Sequence, residues 1–137
     1  MADLHLTKAR AWLQTAQSDL EKRPPAGKFT GSQTRHRVYH CQQAAEKAVK
    51  GFLLARGQVF EKVHDIERLV AQAARLENRF SEFDVAAAEL TPRATAYRYP
   101  DEAGFLRPTQ EEFDQAVEHA QAVYYFVLRQ LPPEARP

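Results

Sequence analysis

Disulfides, membrane-spanning segments and an export leader are all missing from this sequence. Its 1 cysteine, Cys41, cannot form a disulfide within the chain. No positively charged leader followed by an apolar core and a cleavage site opens the sequence. The unbroken apolar runs are far shorter than the roughly 20 residues that cross a bilayer. We therefore expect a protein of the reducing cytoplasm without a membrane anchor.

Motifs that hold a metal, cradle a phosphate or present a serine nucleophile are also missing. The 5 histidines and Cys41 form no close metal-ligand pattern, and no pair of glutamates repeats at the helical spacing of a two-metal site. A glycine-rich phosphate loop and a serine nucleophile elbow are absent too. We expect neither a metal nor a cofactor.

Length and composition are those of one globular domain. The chain has 137 residues, of which 44% are apolar and 27% are charged. A chain of this length buries roughly two-thirds of its unfolded surface, enough for a single core. We expect one domain over residues 1–137, with its core between about 4 and 131.

Charge is balanced in total but uneven along the chain. The net charge is +1, too small for the whole molecule to attract a polyanion strongly. Between Glu21 and Glu46 all charged residues are basic: Lys22, Arg23, Lys28, Arg35 and Arg37. The segment from Asp101 to Glu118 is acidic apart from Arg107. This asymmetry fits guidance of nucleic acid, pairing between two subunits, or simply a solvated loop and an acidic helix start.

Apolar residues recur every three or four positions, which predicts helices throughout and no strands. The first helix spans Leu4 to Glu21 and stops at Pro24-Pro25. The second begins with Ser32 or Thr34 as its cap and runs to about Arg56, with Gly57 in the left-handed conformation. Its core stripe is Val38, Cys41, Ala45, Ala48, Val49 and Phe52. Its opposite face is a candidate subunit interface: Tyr39, Gln43, Glu46, Lys47, Lys50 and Leu54.

Three further helices follow. One begins near His64 or Asp65 and buries Ile66, Leu69, Val70, Ala73 and Leu76. The next spans Ser81 to about Arg98, with a bend near Pro92 or a new start capped by Thr91, and ends before Pro100. Thr109 and Glu112 form a capping box for the last helix, which ends before Pro132. The pattern predicts an all-α, up-and-down antiparallel bundle of about five helices.

Four segments in order resemble the HEPN (higher eukaryotes and prokaryotes nucleotide-binding) family, in its small stand-alone prokaryotic type. They are Ala11-Trp12-Leu13 with Ala16 and Asp19-Leu20; Gln43-Ala44-Ala45-Glu46-Lys47 with Lys50; His64-Asp65-Ile66 with Leu69; and Tyr97-Arg98-Tyr99-Pro100-Asp101. The resemblance implies a helical bundle, usually a homodimer, often working beside a minimal nucleotidyltransferase in a toxin–antitoxin-type system. Some relatives are metal-independent ribonucleases.

The chain departs from the pattern of those ribonucleases, which carry an arginine followed four to six residues later by a histidine. Arg93 and Arg98 have no histidine at that distance. Arg35 and His40 match formally, but on a helix they project about 140° apart and would not converge. We therefore incline against enzymatic activity, although a ribonuclease that uses its arginines with His64 or His40 stays an alternative.

The candidate nucleotide- or phosphate-binding residues are basic or aromatic: Lys47, Arg93 and Arg98, with Lys50, His64, Tyr97 and Tyr99 as weaker members. Arginine can bind phosphate through two hydrogen bonds, and a tyrosine ring can stack on a base. Each has a structural alternative. Lys50 can pair with Glu46 one turn away, which would leave Lys47 more available; Arg98 can brace Asp101 or Glu102; His64 can cap a helix.

The resemblance thus favours a nucleotide- or RNA-associated binding module, partnered by a minimal nucleotidyltransferase. The alternatives are the nonstandard ribonuclease toxin and a purely structural interaction subunit.

Overall fold

The computed structural model describes residues 4–21, 31–60, 65–90 and 109–137, and within these ranges it contains five α-helices and no strands. The helices are α1 (Leu4–Glu21), α2 (Gly31–Ala55), α3 (Ile66–Ala74), α4 (84–90 within the described residues) and α5 (Gln110–Gln130). Two short 3-10 helices, Asn78–Phe83 and Pro133–Ala135, precede α4 and follow α5. The predicted all-α bundle is confirmed.

Helices α1 and α2 pack antiparallel along most of their length. Asp19, near the end of α1, contacts Lys47 in α2, whereas Trp12, earlier in α1, lies over Lys50. A Cβ built on Gly51 would overlap the side chain of Leu13 and lie 3.4 Å from the carbonyl oxygen of Ala9. The glycine therefore lets the two helices approach closely at this level.

Helix α2 is the central element, in contact with α1, α3 and α5. No side chain from 37 to 55 is classed as exposed. The face predicted as a subunit interface is largely taken up inside the chain: Glu46 and Lys50 are buried, and Tyr39, Gln43, Lys47 and Leu54 are half-buried. Asp19 and Trp12 of α1 contact Lys47 and Lys50 on this side, so part of the face serves a contact within the chain, and the subunit interface stays a prediction.

The end of α2 follows the prediction. Gly57 has φ 71° and donates its N–H to the carbonyl of Leu54, while the N–H of Gln58 reaches the carbonyl of Leu53. This is the Schellman arrangement, which satisfies the last carbonyls of a helix. The start differs: α2 begins at Gly31, so Ser32 and Thr34 lie within its first turn and neither is the cap. Because Ser32 and Thr34 are both residues that favour a helix cap, the sequence does not determine the first residue of α2 to within one or two positions.

Helix α3 begins as predicted from Asp65, whose side chain accepts a hydrogen bond from the backbone N–H of Arg68. Helical structure then resumes at Asn78, earlier than the predicted Ser81, and first as a 3-10 helix. In a 3-10 helix residues three apart lie on one side. Phe80 and Phe83 both use this spacing to pack against Phe126 of α5, at centroid distances of 4.8 and 5.0 Å.

The capping box predicted at Thr109 is present. Its hydroxyl accepts from the N–H of Glu112 at 3.0 Å, and its own N–H donates to the Glu112 carboxylate at 3.1 Å. The expectations at Pro92, Thr91 and Pro100 lie outside the described residues. Within the described ranges, no helix has the length and apolar character needed to traverse a lipid bilayer.

Candidate functional site

A buried carboxylate joins α1 to two side chains of α2. One oxygen of Asp19 lies 2.7 Å from Nζ of Lys47, and the other lies 3.3 Å from Nδ1 of His40. The side chain of Asp19 is 3% exposed, against 19% for Lys47 and 26% for His40. These three residues are called the polar cluster below. Its carboxylate is internal, while its two nitrogen-bearing groups reach the surface.

Helical spacing explains why the cluster forms. His40 and Lys47 are seven residues apart in α2, so they lie on one face two turns apart, roughly 10 Å along the axis. Asp19 follows Trp12 by the same seven residues, which places both at the edge of α1 that meets this face of α2. With one oxygen turned to each partner, the carboxylate bridges the interval between them.

Lys47 is more exposed than Lys50, at 19% against 7% of the side chain, but it also has a carboxylate partner. Its ammonium is ion-paired with a carboxylate that is itself almost wholly enclosed. The sequence pointed only to partners within α2, because rules on helical spacing do not identify a partner 28 residues away on another helix. Phosphate bound at Lys47 would therefore meet an ammonium whose charge is largely balanced by Asp19.

Lys50 forms the predicted pair with Glu46, at 3.2 Å. Its side chain is 7% exposed, and its ammonium lies 5.6 Å from the ring centroid of Trp12 and 5.4 Å from that of Phe60. The two rings meet edge to face at 6.0 Å. A charged, buried group held by a carboxylate and two aromatic faces is suited to joining α1 to α2.

The remaining candidate residues, His64, Arg93, Tyr97, Arg98 and Tyr99, lie outside the described residues. The structure thus locates two of the seven candidates, both on α2, and directs their ammonium groups to different carboxylates, Asp19 and Glu46.

Sequence reasoning missed the polar cluster as a unit. In the sequence, Asp19 stands out only as part of a family segment, and His40 as the formal partner of Arg35 and a possible ribonuclease residue, so no local pattern links the two. The available signal was an acid at the apolar edge of α1, next to the turn that holds Leu20, combined with a histidine and a lysine seven residues apart on α2. That pattern predicts a bridging contact once the two helices are known to pack antiparallel.

The cluster has the elements of acid–base chemistry. The carboxylate of Asp19 lies against Nδ1 of His40, and a carboxylate in this position orients an imidazole, the side chain best suited to proton exchange near neutral pH. The tautomer with hydrogen on Nδ1 donates to the carboxylate. Protonation of His40 would add a positive charge beside Lys47. Over the described ranges, no three His, Cys, Asp or Glu side chains gather into a metal site.

Comparison with known proteins identifies the family. The model of the HEPN domain matches residues 2–131. Neither the search of curated proteins nor that of solved structures returned a match.

The chain therefore belongs to the HEPN domain family, and the resemblance drawn from its four segments is confirmed. At the level of the family, this makes it a nucleotide- or RNA-related helical module.

Proposed function

We propose that residues 1–137 form one HEPN module that binds nucleotide or RNA and cooperates with a minimal nucleotidyltransferase in a two-component, toxin–antitoxin-type system. The supporting observation is the family match, which is continuous over residues 2–131. A homodimer, common among HEPN domains, and a cytoplasmic location belong to the same proposal.

Within this proposal, Arg93 and Arg98 supply most of the attraction for phosphate, with Tyr97 and Tyr99 as stacking surfaces and His64 as a further donor. The ion pairs described above support this ranking: Lys47 is balanced by Asp19, and Lys50 by Glu46. Lys47 would make a smaller contribution to phosphate binding than the two arginines, and Lys50 would stabilise the contact between α1 and α2.

Titration with nucleotides and short RNAs, followed by calorimetry, tests the binding function. We expect saturable binding by the wild type and a loss of about tenfold or more per arginine in Arg93→Gln and Arg98→Gln, since each charge-assisted hydrogen bond contributes about 1.5–3 kcal/mol. Lys50→Met is the control variant. It should lower the stability of the fold more than it lowers the affinity for nucleotide or RNA. Failure of the wild type to bind any nucleotide or RNA would reject the function.

Coexpression tests whether this chain binds a minimal nucleotidyltransferase. We expect a stable complex with such an enzyme encoded beside this chain. Formation of that complex by a protein that binds no nucleotide would favour the purely structural alternative.

A second function, metal-independent RNA cleavage, is favoured by one observation: Asp19 orients the ring of His40. In such a reaction the imidazole of His40 would take the proton of a ribose 2′-hydroxyl, the freed oxygen would attack the adjacent phosphorus, and the 5′-oxygen would leave with a proton from solvent. Incubation of RNA with the wild type and His40→Gln in the presence of a chelator is decisive. Intact RNA with both proteins would exclude this function.

A further inference from the structure

A second candidate binding site lies between α1 and α5. It is a groove of about 330 Å³, within the size range of small-ligand pockets. Its lining combines two amides, one carboxylate, two tyrosines and three apolar residues: Gln17, Gln121, Glu21, Tyr124, Tyr125, Leu20, Leu128 and Pro137. Gln17 and Glu21 each lie two residues from Asp19, so they project to the opposite side of α1. The groove is therefore distinct from the polar cluster.

Each helix presents one face to the groove. On α1, Gln17 and Glu21 are four residues apart and share a face. On α5, Gln121, Tyr125 and Leu128 follow one another at spacings of four and three. Residues 22–30, which follow α1, lie outside the described ranges, and the recognition groups considered for this groove are those of α1 and α5.

Tyr124 brings a buried hydroxyl to the groove. The residue is 4% exposed, and among the described residues its hydroxyl has no hydrogen-bond partner. Burial raises the pKa of the phenol, with smaller contributions from Tyr125 and Glu21, so the hydroxyl lies near both of these lining residues. The phenol stays protonated at neutral pH and can donate a hydrogen bond. A ligand that accepts this bond removes the cost of leaving a buried donor unpaired.

The other polar groups of the lining are open to a ligand as well. Within the described part of the chain, the side chains of Gln17, Glu21 and Gln121 form no hydrogen bond or ion pair. Their amides can donate and accept, whereas the carboxylate only accepts. Tyr125 is 52% exposed, and its ring meets that of Tyr124 at a centroid distance of 5.3 Å. An exposed ring at the edge of a polar groove is a surface on which a planar ligand can stack.

We propose that this groove binds a guanine base. The inference rests on the proposed function and names a base for it. Guanine presents two adjacent N–H donors, N1 and the N2 amine, which suit the two oxygens of the Glu21 carboxylate, and its O6 accepts from the Tyr124 hydroxyl. The base stacks on Tyr125. Adenine turns a ring nitrogen that only accepts toward the same carboxylate, so it is disfavoured.

Two nucleosides that differ in one amine give the test. Inosine is guanosine without the N2 amine, and neither carries a phosphate, so the arginines contribute little to their binding. In calorimetric titrations we expect guanosine to bind the wild type about tenfold more tightly than inosine, because inosine lacks one hydrogen bond to a charged acceptor. In Glu21→Gln the preference should fall to about twofold or less, since a neutral amide has replaced the carboxylate.

Two further variants complete the test. Tyr125→Ala should weaken both nucleosides alike, by about fivefold or more, because it removes the stacking surface and leaves the carboxylate in place. Glu67→Gln, at an exposed position of α3 outside the groove, is the matched control and should keep the wild-type preference. Circular dichroism establishes that each variant is folded.

The outcomes separate this inference from the function on which it rests. RNA binding without any binding of guanosine would overturn the guanine site and leave the proposed function intact. A wild type that binds neither RNA nor nucleosides would overturn both. Guanosine, inosine and adenosine that bind equally well, or a guanosine preference that survives in Glu21→Gln, would also overturn the inference, because the carboxylate would then recognise nothing.

Discussion

Individual charged residues in this chain act through partners far away in sequence. Asp19 and Lys47 join two helices, and the carboxylate is much more enclosed than the ammonium. An ion pair of this kind contributes little net stability compared with an apolar pair, but removal of one partner leaves the other poorly solvated. The two single substitutions should therefore have unequal costs.

Lys47→Met is expected to lower the free energy of unfolding by about 3 kcal/mol, because the enclosed carboxylate of Asp19 then loses its ammonium partner. Asp19→Asn should cost less, since the ammonium of Lys47 is more exposed and can be solvated by water. Chemical denaturation of both variants and of the double variant gives the coupling energy. Additive effects of the two substitutions would show that the ion pair carries no coupling.

Tyr124 provides the residue-scale prediction on pH. Burial raises the pKa of its phenol, with smaller contributions from Tyr125 and Glu21. The unfolded chain therefore releases this proton at lower pH than the folded chain, and stability falls as pH rises from the ordinary value of about 10 through the folded pKa. Below the ordinary value the contribution is fully present.

Denaturant unfolding from about pH 7 to pH 11 measures this effect. Tyr124→Phe should flatten the alkaline decline while it leaves the remaining pH dependence in place. Equal alkaline slopes in the wild type and the variant would contradict the assignment.

At the scale of elements, the contact between α1 and α2 depends on a residue without a side chain. Gly51→Ala would ordinarily stabilise a helix by about 0.8–1 kcal/mol. Here the added methyl overlaps Leu13, which is fully buried and has little room to move. We expect a net loss of about 1–2 kcal/mol, because overpacking outweighs propensity.

Thermal unfolding of Gly51→Ala measures that loss. Gln14→Ala, at an exposed position of α1, is the control for alanine in a helix and should be nearly neutral. A more stable Gly51→Ala variant would mean that Leu13 relaxes at no cost.

The sequence predicted most elements because local patterns determine them. The Thr109–Glu112 capping box, Asp65 at the start of α3 and Gly57 after α2 each depend on residues within four positions. The 3-10 helix at Asn78 was not predicted, since its reason is the packing of Phe80 and Phe83 on a ring more than forty residues away. The surroundings of Lys47 escaped prediction for the same reason.

For the whole molecule, three phenylalanines tie the central helix to its neighbours. Phe80 lies 4.6 Å from Phe52 of α2 and 4.8 Å from Phe126 of α5, measured between ring centroids. It is fully buried, whereas Phe83 is half-buried. The short 3-10 helix therefore supplies the side chain at which α2, α5 and the region after α3 meet.

Phe80→Ala should lower the free energy of unfolding by about 3–5 kcal/mol, because it leaves a cavity between three elements. That is a large share of the 5–15 kcal/mol typical of a domain. Phe83→Ala is the matched control and should cost distinctly less. Equilibrium unfolding in denaturant measures the free energy of unfolding of both variants. Equal losses of stability would show that Phe80 is not the main contact between α2, α5 and the region after α3.

The contact between Trp12 and Phe60 gives the protein a natural optical reporter. Trp12 is the 1 tryptophan of the chain, and its ring lies against Phe60 and the ammonium of Lys50. Intrinsic fluorescence excited at the indole band thus originates from the boundary between α1 and α2. Any ligand or partner that separates these two helices should shift the emission to longer wavelength, without the need for an attached dye.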